Sequence, residues 1–369
     1  MNSIYKNIHP KFKLNGISYT NSTLKKHALY VSQQQNSYAV SIGLFLLDWL
    51  DRKSTVEVRT SGSTGVPKKI VLEKKYMVNS ALATGEFFGL KAGETALHCL
   101  PTNFIAGKMM LVRAMVLGLE IECIYPGSNP LENCNKTYDF CAMVPLQVQN
   151  SLSKINQLKT LLVGGAPISV TLKNKLQNSS TKVFETYGMT ETITHIAAKK
   201  VNLIKESSKN VVTEHSRSEN NFHTLPKVSI SKDNRDCLVI TAPNVSNHTI
   251  VTNDIVNIIS KTEFEWLGRY DSVINSGGVK LIPEQIEAKL AAVITNRFFV
   301  AGLPDAILGE KLILIIEGDI DIAGMHQKIK ELKTPQRFEI PKEIYCVDSF
   351  LETKNGKVQR TKTIALLSK

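Results

Sequence analysis

The sequence predicts a layered α/β protein with a second, smaller α+β domain, and three observations carry that expectation. Helix-like and strand-like segments alternate from residue 40 onward. A chain of 369 residues is too long for one small core and too short for three ordinary domains. After residue 271 the alternation changes character.

In chain order, "YAVSIGLFLLDWLD" has helical spacing, "TVEVRT" reads as a strand and "KIVLE" as a second short strand, so "TSGSTGVPK" between them joins two strands. A helix over 75–88, a strand "ETALHCL", a helix over 105–118 and strands "LEIECIY" and "DFCAMV" follow, then a helix from 145 and a strand "KTLLV". The polar tract over 203–221 reads as a surface excursion or hairpin region. "CLVITAP", "HTIVTND" and "IVNIIS" are strand-like, and beyond 271 the expected order is strand, strand, helix, strand, strand, helix, strand. The expected division is therefore 1–270 and 271–369.

Composition excludes several classes. With 43% hydrophobic and 21% charged residues the chain is globular, without the bias of disorder, collagen or a coiled coil. "GLFLLDWL" is far shorter than the roughly 20 residues of a spanning helix. "MNSIYKNIHPKFKL" lacks the apolar run of a secretory signal, so a cytoplasmic address is expected. Six cysteines without a C-x-x-C pair argue against zinc and against a disulfide framework. The net charge of +12 comes from lysines spread along the whole chain, which reads as a solvated basic surface and no nucleic-acid groove.

The loop over 60–70, "TSGSTGVPKKI", carries the first chemical signal. Counting from Gly62, a Walker loop needs a second glycine where Pro67 stands, and Walker loops feed a helix, so that reading fails. Glycines let backbone N–H groups approach a ligand, while Ser61, Ser63 and Thr64 add hydroxyls and Lys68 a charge. This suits a polyphosphate. Taken alone, the loop reads equally as a flexible glycine–serine hairpin.

Five further segments stand in order behind it: "LLVGGAPIS", "ETYGMTET", "TND", "GRYDSVINSGGVKLIPEQIE" and "ETKNGKVQR". Together they resemble the adenylate-forming superfamily of acyl-CoA synthetases, nonribosomal-peptide adenylation domains and luciferases, from about residue 55 to the end. Within it the chain is most similar to the o-succinylbenzoate–CoA ligases of menaquinone biosynthesis, in a shortened form. Only about sixty residues precede the phosphate loop, and "LPTNFIAGKMMLVRAMVLGLEI" resembles the matching segment of those ligases. The shortened N-terminal region leaves less surface to bury, which a homodimer would offset.

The resemblance implies an acyl-CoA synthetase-like fold and a two-step reaction. A carboxylate attacks the α-phosphate of ATP, pyrophosphate leaves, and the thiol of coenzyme A then displaces AMP from the acyl-adenylate. The acid is already ionised at neutral pH, so the site must supply positive charge and oriented donors rather than a base.

Its implied residue roles are as follows. Ser61, Gly62, Ser63, Thr64, Gly65 and Lys68 hold the β- and γ-phosphates; Thr190 donates to a phosphate oxygen; Glu191 holds Mg2+. Gly164, Gly165 and Ala166 line the adenine pocket, and Tyr187, followed by Gly188, stacks on the base. Asp254 takes the ribose hydroxyls and Arg269 the ribose or phosphate. Lys357 of "NGK" reaches the carboxylate and α-phosphate during adenylation. Asp271 is the hinge about which the small domain rotates so that Lys357 leaves before the CoA thiol enters, and "SGGVK" then approaches the pantetheine. Lys357, Glu191 and Asp254 together argue against a non-catalytic nucleic-acid-binding protein.

The acyl pocket lies outside these motifs. Many relatives carry P-x-F-H-x-x-G, whereas "PTNFIAG" puts Phe104 where they have histidine, so a contact made by that histidine does not carry over. Arg113 matches an arginine that would anchor the second carboxylate of a dicarboxylic acid, and an amphipathic helix face explains it as well. His195 faces the acyl pocket or is a satisfied core histidine.

Overall fold

The computed structural model describes residues 8–59, 69–202, 221–353 and 358–367. By its internal contacts the chain divides into two compact units, Met1–Ser229 with Ile240–Ile250, and Ile230–Val239 with Val251–Lys369. The expected division at 270/271 concerns a rotating boundary, which this partition does not address.

The first unit opens with two short strands, β1 (Lys13–Leu14) and β2 (Ile17–Ser18), and two helices, α1 (Asn21–Ser32) and α2 (Ser37–Leu50). Helix α1 starts where Thr20 and Thr23 cap each other reciprocally. Asn36 caps α2, whose Tyr38, Ile42, Phe45, Leu46 and Trp49 form one buried stripe at helical spacing. Strands β3 (Thr55–Arg59) and β4 (Lys69–Glu73) pair antiparallel, as expected for two strands joined by a loop.

The layered body follows: α3 (Lys74–Phe88), β5 (Thr95–His98), α4 (Ile105–Leu117), β6 (Glu120–Cys123), β7 (Tyr138–Met143), α5 (Pro145–Asn150), β8 (Leu158–Val163), α6 (Val170–Leu176), β9 (Lys182–Gly188), β10 (His195–Lys200) and β11 (Phe222–Thr224). Across the sheet the order is β11-β10-β9-β8-β7-β5-β6-β1-β2. From β9 to β1 all neighbours are parallel, and β10 turns back antiparallel on β9. Parallel strands are covered on both faces, which is why "KTLLV" and "DFCAMV" are nearly continuous apolar runs. One core joins Leu97, Met143, Leu161 and Val183 of the sheet to Val148 of α5 and Leu172 of α6.

In the second unit lie most of β12 (Ser229–Lys232), β13 (Cys237–Thr241), β14 (Ile250–Ser260) and β15 (Glu263–Arg269), consecutive neighbours in one sheet. "HTIVTND" and "IVNIIS", expected as two strands, run on through Asn253 and Asp254 as the single strand β14 from Ile250 to Ser260. Beyond residue 271 the elements are β16 (Ile274–Ser276), β17 (Val279–Leu281), α7 (Pro283–Leu290), β18 (Phe298–Asp305), β19 (Gly309–Glu317), α8 (Ile322–Glu331) and β20 (Glu343–Val347), in the expected order, followed by α9 (Arg360–Ile364). Helices α7 and α8 pack Ile286, Leu290, Met325 and Ile329 on Val300, Leu312, Leu314 and Ile316. Among the described residues no helix is long and apolar enough to cross a membrane. The six cysteines are free thiols.

Candidate active site

Three of the sequence motifs come together because each begins where a parallel strand ends. "PTNFIAG" follows β5, "GGAP" follows β8, and "GMTE" closes β9. Strand order reverses between β5 and β7, and in open α/β sheets ligands bind beyond the carboxyl ends of strands at such a reversal. Glu185 on β9 fastens the "GGAP" segment: it accepts the Ile168 N–H at 3.2 Å and pairs with Lys173 at 3.0 Å and Lys199 at 3.2 Å. Burial pushes its carboxyl up, but Lys199, Lys173 and the Ile168 amide outweigh that and hold it below its ordinary range.

A tight reversal connects β9 to β10. Thr190–Thr192 form a single 3-10 turn, the Thr194 N–H donates to Thr192 O at 2.8 Å, and Ile193 takes φ 66 and ψ −59, a γ-turn with positive φ. Such a conformation at a β-branched residue costs about 1–3 kcal/mol. Burial of Ile193 and the Thr192 hydroxyl, bonded to Met189 O at 2.9 Å and Thr194 O at 2.7 Å, hold it in place. The reversal folds His195 onto Gly188, where a Cβ would come 2.2 Å from Thr194 O, so only glycine fits. It leaves Glu191 exposed. Among the described residues no group of three or more His, Cys, Asp or Glu is placed to hold a metal. Tyr187 lies at the end of β9 with its ring 5.8 Å from that of Phe222.

Arg113 and His195, separated by 82 residues, meet in the interior. Helix α4 is buried nearly all round, Arg113 included, so the amphipathic-face reading of this arginine fails. Its Nε donates to Thr84 Oγ1 at 3.3 Å, and its Nη2 to Thr194 Oγ1 at 3.3 Å and His195 Nδ1 at 3.4 Å. A guanidinium only donates, so Nδ1 accepts and the imidazole proton sits on Nε2, which donates to Thr84 Oγ1 at 3.2 Å. Thr84 Oγ1 in turn donates to Ser80 O at 2.9 Å. Burial and then Arg113 hold His195 well below its usual pKa, keeping it neutral, and burial pushes Arg113 down to about 9. His195 is thus a satisfied buried histidine that also orients Arg113.

Phe104 stands apart from this pair, at the start of α4. With a rise of 1.5 Å per residue, that is about 13 Å from Arg113 along the axis. Lys108 spends its charge elsewhere, 4.7 Å over the Phe45 ring. Thr84 and Thr194 are the partners that sequence reading missed, and nothing local to "SALATGEF" marks Thr84.

In the second unit Asp254 on β14 faces Arg269 on β15. Asp254 is 6% exposed, and its Oδ1 lies 3.6 Å from Arg269 Nη1. Arg269 also donates to both carboxylate oxygens of Asp271, at 2.9 and 3.0 Å, and holds that carboxyl below its ordinary range. Ser61, Gly62, Ser63, Thr64, Gly65 and Lys68, and likewise Lys357, lie outside the described residues.

The motifs at the ends of parallel strands in the first unit and, separately, the carboxylate–arginine pair in the second are the features that the adenylate-forming resemblance implies. Residues 59–216 match the model of the AMP-binding enzyme family. An acyl-CoA synthetase (AMP-forming)/AMP-acid ligase II-like protein from Dyadobacter fermentans is 35% identical, with a TM-score of 0.60, over 93% of this chain and 98% of that one. The chain belongs to the AMP-binding enzyme family. The 2-succinylbenzoate–CoA ligases of Enterococcus faecalis and of Staphylococcus aureus are 24% and 26% identical, each over 82% of this chain. The chain spans 67% and 65% of their lengths. O-succinylbenzoate coenzyme A synthetase from Bacillus subtilis, solved with ATP and magnesium ion, shares the fold, with a TM-score of 0.69 at 20% identity over 84% of this chain and 69% of that one.

Proposed function

We propose that this protein activates a carboxylic acid with MgATP as an acyl-adenylate and transfers the acyl group to coenzyme A, and that the acid is o-succinylbenzoate. The reaction class is carried by the match over nearly the whole of both chains to the AMP-forming synthetase-like protein. Arg113 supports the acid: no carboxylate lies within ion-pair distance of it among the described residues, so this buried cation is short of one negative charge. A dicarboxylic acid brings that charge on its second carboxylate.

The residues divide the work. The 61–65 loop and Lys68 cradle the phosphates that leave, Thr190 donates to a phosphate oxygen, and Glu191 holds the magnesium ion, which neutralises phosphate charge. Gly164, Gly165, Ala166, Tyr187 and Gly188 take the adenine, and Asp254 with Arg269 the ribose. Lys357 lowers the repulsion between carboxylate and α-phosphate during adenylation and withdraws for thioester formation, with Asp271 at the hinge.

Incubation with ATP, CoA and a panel of acids tests the reading. A thioester of o-succinylbenzoate is expected; turnover of another acid alone replaces the substrate, and no acid-dependent pyrophosphate exchange with any acid removes the reaction class. Lys357→Ala is expected to lower adenylation by about a hundredfold or more while supplied acyl-adenylate is still converted. Equal loss of both half-reactions contradicts the two-state assignment.

A further inference from the structure

Trp266 has no part in the motifs described above, yet its indole Nε1 donates to Asp254 Oδ1 at 3.1 Å. A defect in the β14–β15 ladder makes this contact. Asp254 pairs with Arg269 and Ile255 with Gly268, but the next pair is Val256 with Trp266, so Leu267 is an extra residue. Without that bulge Trp266 would oppose Asn257 and project from the other face of the sheet. With it, Trp266 opposes Val256, two residues from Asp254, and the two side chains share a face. Gly268, beside the bulge, has φ +156, and a Cβ there would come 2.4 Å from Glu284 Oε2 and 2.5 Å from Ile282 Cγ2. The close packing of α7 on β15 thus fixes the backbone beside the bulge.

A carboxylate that receives a diol must present its oxygens in one orientation, and a free carboxyl group rotates easily about its last bond. The indole N–H and Arg269 Nη1 converge on the same oxygen and pin that rotation. We propose that Trp266 is a positioning residue for nucleotide binding, its indole N–H holding Asp254 in the orientation that accepts the ribose hydroxyls. This rests on the assignment of Asp254 to the ribose. Phenylalanine would fill much the same space but cannot donate.

Calorimetric titration of the full chain with ATP and with 2′,3′-dideoxyATP, in excess magnesium, tests this without knowledge of the acid. The unaltered chain is expected to prefer ATP by about tenfold or more, the scale of hydrogen bonds to a charged acceptor. Trp266→Phe should weaken ATP by about fivefold and leave dideoxyATP unchanged, since only the hydroxyls feel the orientation of Asp254. Asp254→Ala should abolish the preference. Equal weakening of both nucleotides by Trp266→Phe would make the tryptophan merely structural, and no change in either would remove its role; both outcomes overturn the proposal. If Asp254→Ala keeps the full preference, the ribose assignment itself falls.

Discussion

Two arginines, Arg113 buried and Arg360 half-buried, are treated in opposite ways. Arg113 in the first unit is surrounded by neutral acceptors, two threonines and a histidine, with no carboxylate among the described residues. Arg360 in the second unit lies 2.9 Å from each oxygen of Glu287 and 3.9 Å from Glu284, and stacks on Phe299 at 5.4 Å. The first cluster has a surplus of positive charge, the second of negative charge. Burial, reinforced by Glu284, pushes the Glu287 carboxyl up to about 7 against the pull of Arg360 and the Val300 amide. A closed ion cluster serves folding, tying α7 to α9 and β18. An open one has unused charge, which is what a binding site for an anion requires.

The difference can be broken experimentally. The largest effect is expected for Arg360→Met, which strands Glu287 and Glu284: a loss of about 3 kcal/mol in chemical denaturation at pH 8. The loss should shrink toward pH 5. Glu287 binds its proton more tightly folded than unfolded, so its contribution to stability is complete below the ordinary carboxyl range and falls as pH rises through about 7. Removing Arg360 raises that carboxyl further and steepens the fall. A pH-independent loss would mean that Glu287 ionises normally.

Arg113→Met should do the reverse, changing stability by no more than about 1 kcal/mol while lowering kcat/KM for a dicarboxylic acid about a hundredfold. Monocarboxylic acids should be turned over as before. A loss of stability as large as that of Arg360→Met, with no change in acid preference, would make the two arginines alike. The smallest effect is expected for Thr84→Val, about 1 kcal/mol of stability, because Arg113 Nε and His195 Nε2 each lose one neutral acceptor. Its acid preference should shift in the direction of Arg113→Met, as the guanidinium loses an anchor.

Much of this organisation is legible in the residues themselves. The unbroken runs of β7 and β8, the hairpin of β3 and β4 and the seven elements after residue 271 follow from apolar periodicity and turn chemistry, which act over a few residues. Helix α1 is invisible to that reading because it buries only Leu24 and Ala28 and starts from a polar box. The motifs at 164–166, 187–191 and 254 are readable as short strings, since each places backbone or a single carboxylate locally.

The sequence by itself determined the class of fold, the order of the strands along the chain and the family. These depend on local periodicity and on motifs whose chemistry is contained in neighbouring residues. Only the tertiary structure decided that Arg113 has no carboxylate beside it among the described residues and leans on His195 and Thr84, and that one extra residue in β15 turns Trp266 toward Asp254. Charge compensation and side-chain facing are properties of segments far apart in the chain. No periodicity encodes them, and they are fixed only when helices and strands pack.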